Sequence, residues 1–177
     1  MMQCAMLLAF QFSQPQALGL ISGVGANPSP SFANLSTISP MFMCGVGMMY
    51  ASGILRVWCY KALGSLFTFE VTIRPDHKLI TSGPYAIVRH PSYTAIVFMG
   101  IGATLAVFCP GSYVYECGMM STPVGGILVV WVAVSVYTVV SLLRRGRIED
   151  EVLRKEFGEK WLCYSRSVPC RFIPGLV

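Results

Sequence analysis

The run "PVGGILVVWVAVSVYTVVSLL", residues 123 to 143, contains no charged side chain. A stretch this long and this apolar has the length of a bilayer crossing, which takes about 20 predominantly apolar residues. Three further stretches approach it, at 4–24, 40–60 and 93–115. The first is interrupted by Gln11, Gln14, Pro15 and Gln16, and the third carries Cys109-Pro110-Gly111, a break near its end. Over the 177 residues, 54% are hydrophobic and 12% charged, whereas a soluble domain carries about 25% charged residues. The expected fold is all-α: an integral membrane helical bundle of about four transmembrane helices. Residues 1–60 form N-terminal membrane helices and 61–177 a core, within a single domain.

A secretory signal is the rival reading of the first stretch, but a signal has a basic n-region. No Lys or Arg occurs before Arg56, so a membrane helix is expected there. The seven cysteines, at 4, 44, 59, 109, 117, 163 and 170, show no C-x-x-C spacing. Only His77 and His90 accompany them, which argues against a disulfide framework or a zinc site.

Charge follows the apolar runs. Arg56 and Lys61 close the second, Arg74, Lys78 and Arg89 occupy the 61–91 connection, and Arg144, Arg145 and Arg147 follow the fourth. If the third and fourth runs form a hairpin, every Lys and Arg falls on one side, and the positive-inside rule makes that side cytosolic. The net charge of +5 is too small and dispersed for nucleic acid. Asn34-Leu35-Ser36, a glycosylation sequon in form, then lies on the opposite side. In the tail, apolar residues at 148, 152, 153, 157, 161 and 164 line one side of a helix. The pattern predicts a C-terminal amphipathic helix on the membrane surface, bent or broken at Gly158.

The polar residues concentrate at two places. In "SGPYAIVRHPSYTA", Gly83-Pro84 marks a turn and Pro91 suits the first position of the third helix, where its missing N–H costs nothing. Arg89 and His90 then stand at the positive mouth of that helix, which favours an anionic group nearby. Taken singly, Tyr85, Arg89 and Tyr93 read as an interfacial collar; as a string they read as a site. In "RRGRIEDE", most charges read as a cytoplasmic anchor running into a solvated acidic turn. Arg145 and Glu149, four apart, share a helix face, where a carboxylate suits a ligand's amine or hydroxyls and an arginine suits an anionic substrate in a two-pronged grip. Gly100-Ile101-Gly102 suits close helix packing. No P-loop, Rossmann fingerprint, Ser-His-Asp set or metal motif is present.

Together these features resemble the isoprenylcysteine carboxyl methyltransferase family. Its hallmark, RHPxYxG, a hydrophobic span and an acidic pair, reads here as Arg89-His90-Pro91-Ser92-Tyr93-Thr94-Ala95, the third and fourth runs, and Glu149-Asp150. The resemblance extends through "LGSLFTFEV", "HKLITSGPY", "EFGEKWLCYSRSVP" and "IPG", roughly residues 61 to 175. Ala95 replaces the usual glycine and Asp150 the second glutamate, and Glu70 stands where animal relatives have glutamine. The resemblance implies S-adenosyl-L-methionine in a cytosolic-face pocket. His77, Lys78, Leu79, Ile80, Tyr85, His90, Pro91, Ser92, Tyr93 and Glu149 would line it, with Glu70 beside it. Arg145 would be the catalytic residue that holds the substrate carboxylate, and Arg89 would hold the architecture together. The implied activity is methylation of the C-terminal carboxylate of prenylated CaaX proteins, carrying farnesyl or geranylgeranyl cysteine, in the endoplasmic reticulum membrane. A carboxylate with a pKa of about 3.3–3.7 is ionised at neutral pH and needs no base. The rival readings are a phospholipid (phosphatidylethanolamine) N-methyltransferase and a non-catalytic membrane protein that keeps the fold.

Overall fold

The computed structural model describes residues 38–64 and 78–175. The first expected span, the Asn34 sequon, Glu70, Arg74 and His77 lie outside the described residues. Among the described residues the regular elements are all helical: α1 (Pro40–Leu63), α2 (Pro91–Phe108), α3 (Tyr113–Glu116), α4 (Pro123–Phe157) and α5 (Glu159–Ser167), with short 3-10 turns at Gly83–Ala86 and Met119–Ser121. α1, α2 and α4 are long and apolar enough to cross a membrane.

The helix ends follow from local chemistry. α1, α2 and α4 each begin on a proline, Pro40, Pro91 and Pro123, at the position where a missing N–H leaves nothing unsatisfied. Ser39 caps α1 through its hydroxyl oxygen, which accepts from Phe42 N at 3.1 Å. α2 stops at Phe108, before the expected 93–115 run is used up. Pro110 cannot continue the ladder, and Gly111 takes φ 82°, which reverses the chain. The remainder becomes a turn and α3, whose Ser112 hydroxyl caps Tyr115 N.

The end of the fourth run differs from expectation. The helix does not stop near Leu143 but continues unbroken to Phe157, 35 residues in all. At 1.5 Å per residue this is about 52 Å, some four turns beyond a hydrocarbon core of about 30 Å. The break comes at Gly158, with φ 51° and ψ −120°, a backbone open to glycine and strained for other residues. The residues expected to form a separate surface helix are therefore divided between the end of α4 and α5.

The described residues divide into two compact units, one of 38–48 and Ile101–Ser135, the other of 49–64, 78–100 and 136–175. In the first, Gly45 lies so close to α2 that a Cβ there would stand 2.6 Å from Gly102 O and 2.9 Å from Ala106 N. Small residues thus set the spacing of α1 and α2, the role expected of the Gly100–Gly102 stretch. Phe108 and Trp131 stack with centroids 6.3 Å apart, and Tyr113, Cys117 and Met119 form a buried cluster with Val114 and Leu128 against it.

In the second unit the core is Trp161, Tyr164 and Val168, packed by Leu79, Leu153, Phe157 and Leu162. Most of the expected apolar stripe of the tail closes on itself here. Ile148 does not join it and stays 56% exposed. The Tyr164 hydroxyl donates to Tyr85 O at 2.8 Å and ties α5 to the turn before α2. Burial pushes the Tyr164 phenol up to about 12, Asp150 adding and Arg89 opposing, so at neutral pH it remains a donor.

Candidate functional site

The second unit also holds the charged residues singled out in sequence. The carbonyls of Cys170 and Arg171 accept from Arg89 N at 3.1 Å and His90 N at 2.8 Å. The tail after α5 is thereby laid against the segment that precedes α2. The Thr94 hydroxyl donates to Phe172 O and prolongs the attachment by one turn.

Asp150 is the electrostatic centre of this arrangement. Its Oδ2 accepts from Arg89 Nη1 at 3.0 Å and from Arg171 Nε at 3.1 Å, and its Oδ1 pairs with His90 Nε2 at 3.1 Å. The residue is 5% exposed and His90 is 6% exposed, so these partners replace water as the source of hydrogen bonds. Arg89 also donates from Nη2 to Pro169 O at 2.9 Å, and its guanidinium lies 5.7 Å from the Trp161 ring centroid. The expectation that Arg89 holds the architecture agrees with these contacts. In the sequence Asp150 stands out as half of an acidic pair and as a departure from a family pattern. Its three partners come from positions 89, 90 and 171, distant in the chain, and no local spacing points to them.

Glu149 lies one residue earlier and faces differently. Its Oε2 accepts from the Tyr93 hydroxyl at 2.7 Å and stands 3.7 Å from His90 Nδ1. Its side chain keeps 32% exposure, so this carboxylate, unlike that of Asp150, has open lone pairs. Arg145 lies close to the Tyr93 phenol. Arg145 and Glu149 both belong to α4, and both lie near Tyr93. Tyr85 belongs to the same neighbourhood. Burial raises its phenol well above the ordinary value, with Cys59, Glu149, Tyr164 and Tyr93 adding smaller contributions in the same direction; it too is a neutral donor.

The remaining expected site residues are less central. Pro91 is buried at the first position of α2, and Ser92 is half-buried beside it. Leu79 packs into the Trp161 cluster, Ile80 is half-buried, and Lys78 is exposed. Ala95, in the place of a glycine, is 1% exposed.

His90 is held by its faces as well as its edge. Tyr93 stacks on it with centroids 5.4 Å apart and planes 7° from parallel, and Phe172 lies at 5.5 Å with a 31° tilt. Gly146 of α4 makes room for both: a Cβ there would stand 2.8 Å from Phe172 Cζ and 3.3 Å from His90 Cδ2. Gly146→Ala is therefore expected to push Phe172 off the histidine and destabilise the protein by about 1–3 kcal/mol, as overpacking does. Thermal unfolding in detergent measures this; an unchanged midpoint would show that the tail yields freely.

What can this arrangement do? It offers an accessible carboxylate, two phenols, an arginine and a clamped imidazole, at the start of α2 and just beyond the apolar run of α4. Ionisable residues in such helices commonly mark function, and the class this defines is a helical membrane protein with a candidate polar site at the start of α2 and beyond the apolar part of α4. A model of the isoprenylcysteine carboxyl methyltransferase family matches residues 45–124. The chain is 28% identical over 130 residues to protein-S-isoprenylcysteine O-methyltransferase B of Arabidopsis thaliana, covering 71% of this chain and 55% of that protein. It is 30% identical over 147 residues to the protein-S-isoprenylcysteine O-methyltransferase of Rattus norvegicus, covering 80% and 45%. To that of Homo sapiens it is 29% identical over 151 residues, again covering 80% and 45%. No solved structure matches the chain. The match to the isoprenylcysteine carboxyl methyltransferase family model covers a little under half of the chain, and the chain spans about half the length of the curated relatives it matches.

Proposed function

We propose that this chain methylates the C-terminal carboxylate of prenylated cysteine, using S-adenosyl-L-methionine as methyl donor. One observation carries the reading beyond this likeness. The two halves of the hallmark, separated by 59 positions from His90 to Glu149, meet at 3.7 Å. Had they been far apart, no small molecule could have touched both.

The residues suit the cofactor. Glu149 is a carboxylate with open lone pairs beside His90 Nδ1, a pair of acceptors fitted to an ammonium group. Tyr85 and Tyr93 supply phenol donors and aromatic surface. When bound, the cofactor supplies a sulfonium methyl group that an already ionised carboxylate accepts without a general base. The tasks left to the chain are to hold, align and shield. Glu149 holds the donor's amino end, Arg145 grips the substrate carboxylate in a bidentate fashion, and the aromatic residues exclude water. The prenyl chain belongs in lipid, while the cofactor comes from water. A site at helix ends is accessible to both. The same reading expects a fourth span in 4–24, a site facing the cytosol, an endoplasmic reticulum location, a membrane-surface role for α5, and prenylated CaaX proteins as partners.

The deciding experiment is labelled methyl transfer by the purified protein, comparing N-acetyl-farnesylcysteine with phosphatidylethanolamine. Methylation of the prenylcysteine supports the proposal. Transfer to the phospholipid alone identifies an N-methyltransferase, and failure to bind S-adenosyl-L-methionine identifies a non-catalytic relative. Arg145→Ala is expected to raise KM for the prenylcysteine about 10- to 100-fold, the loss of a charge-assisted contact, with cofactor affinity retained. An unchanged KM would remove Arg145 from the substrate site.

A further inference from the structure

We propose that Asp150 is a positioning residue: it accepts from His90 Nε2–H and so turns the ring's other nitrogen, as a lone pair, toward the ligand ammonium that Glu149 holds. This rests on the methyltransferase reading above and adds a role to a residue that does not itself touch the ligand.

The inference starts from the inventory of donors around one carboxylate. Arg89 Nη1 and Arg171 Nε approach Oδ2 at 3.0 and 3.1 Å. Both guanidiniums are always charged and can only donate. An ionised carboxylate is the partner that suits them, and it can only accept. The 3.1 Å contact between Asp150 Oδ1 and His90 Nε2 therefore requires the proton on Nε2. In a neutral imidazole the other nitrogen is then an acceptor, because the bond at one edge selects the tautomer at the other.

The ring has no alternative orientation. Tyr93 and Phe172 flank its faces, Gly146 lies close to its Cδ2 edge, and its backbone N–H is fixed to Arg171 O at 2.8 Å. Nδ1 consequently faces Glu149 Oε2 at 3.7 Å, beyond the range of a hydrogen bond. With the ring neutral, two acceptors stand side by side. An ammonium, with three N–H donors, can bond to both at once. The tail contributes directly, because Arg171 reaches Asp150 from the backbone segment that pairs with Arg89 and His90.

Two measurements on the full chain in detergent test this. The first is the nitrogen NMR spectrum of histidine-labelled protein at pH 8, titrated with S-adenosyl-L-methionine. The chain has two histidines, and a His77→Gln sample assigns His90 by elimination. With the methyl donor bound, His90 is expected to show a protonated Nε2 and an unprotonated Nδ1, and the Nδ1 signal should be the one that moves on binding. The opposite tautomer, a doubly protonated ring in the bound state, or an Nδ1 signal indifferent to the titration overturns the proposal. The second is Asp150→Asn, whose amide presents an N–H donor as well as an oxygen and lacks the charge that holds the arginines. KM for S-adenosyl-L-methionine is expected to rise about 10-fold, the loss of one ligand hydrogen bond, while KM for prenylcysteine stays the same. Unchanged cofactor KM, or equal changes in both constants, overturns the positioning role. If this variant does not fold, the wild-type spectrum decides alone. Binding by the wild-type chain is measured first: its absence overturns the methyltransferase reading together with this proposal, whereas binding with an unmoved Nδ1 overturns this proposal only.

Discussion

Asp150→Ala is expected to destabilise the folded protein by about 3–5 kcal/mol, the range seen when one member of a buried ion pair is removed. The loss of attraction is the smaller part. Arg89, whose side chain is 9% exposed, would keep its charge with no carboxylate to meet it. Arg171, 38% exposed, can turn to solvent and adds less. His90 loses the acceptor at Nε2, and the tail segment 169–172 loses its ionic attachment. The measurement is thermal or chaotrope unfolding in detergent, with limited proteolysis reporting on the tail. A midpoint equal to that of the wild type would show that Arg89 has another adequate partner.

The second large effect is on binding rather than folding. Glu149→Gln keeps the size of the side chain and an oxygen that can accept from Tyr93, while removing the charge. Affinity for S-adenosyl-L-methionine is expected to fall about 10- to 100-fold, since hydrogen bonds to charged groups are worth roughly 1.5–3 kcal/mol. Stability should change little, because this side chain is 32% exposed and water can serve what it leaves. Calorimetry of cofactor binding measures the first effect and unfolding the second. Retained affinity would exclude Glu149 from the cofactor site. The two adjacent acids thus differ in expected signature: Asp150 in stability and, through His90, in cofactor affinity, Glu149 in cofactor affinity with little change in stability.

That contrast marks where sequence reasoning reached and where it stopped. In the sequence Glu149 and Asp150 form one acidic pair, and the helical repeat places Glu149 near Arg145. The repeat cannot tell which of two neighbours faces the interior. That is set by Arg89, His90 and Arg171, which approach Asp150 from two other segments. The tail shows a similar limit. Its apolar spacing correctly predicted helix and a break at Gly158, but the same spacing serves a membrane surface or a core of the chain's own. Trp161 and Tyr164 are buried, with Leu153 and Phe157 packed against them, because segments from elsewhere in the chain, including Leu79, complete the cluster.

The sequence by itself determined the helical class, three of the membrane-length segments, the proline start of α2 and the polar residues that stand beside them. Each of these follows from short-range causes: the length of an apolar run, a missing N–H, the repeat of a helix. Tertiary structure alone decided that the stretch around His90 meets Glu149, that Asp150 joins two arginines and a histidine, and that Phe172 reaches across to Gly146. These contacts depend on the balance between burying charge and pairing it, a balance that exists only once distant parts of the chain have come together.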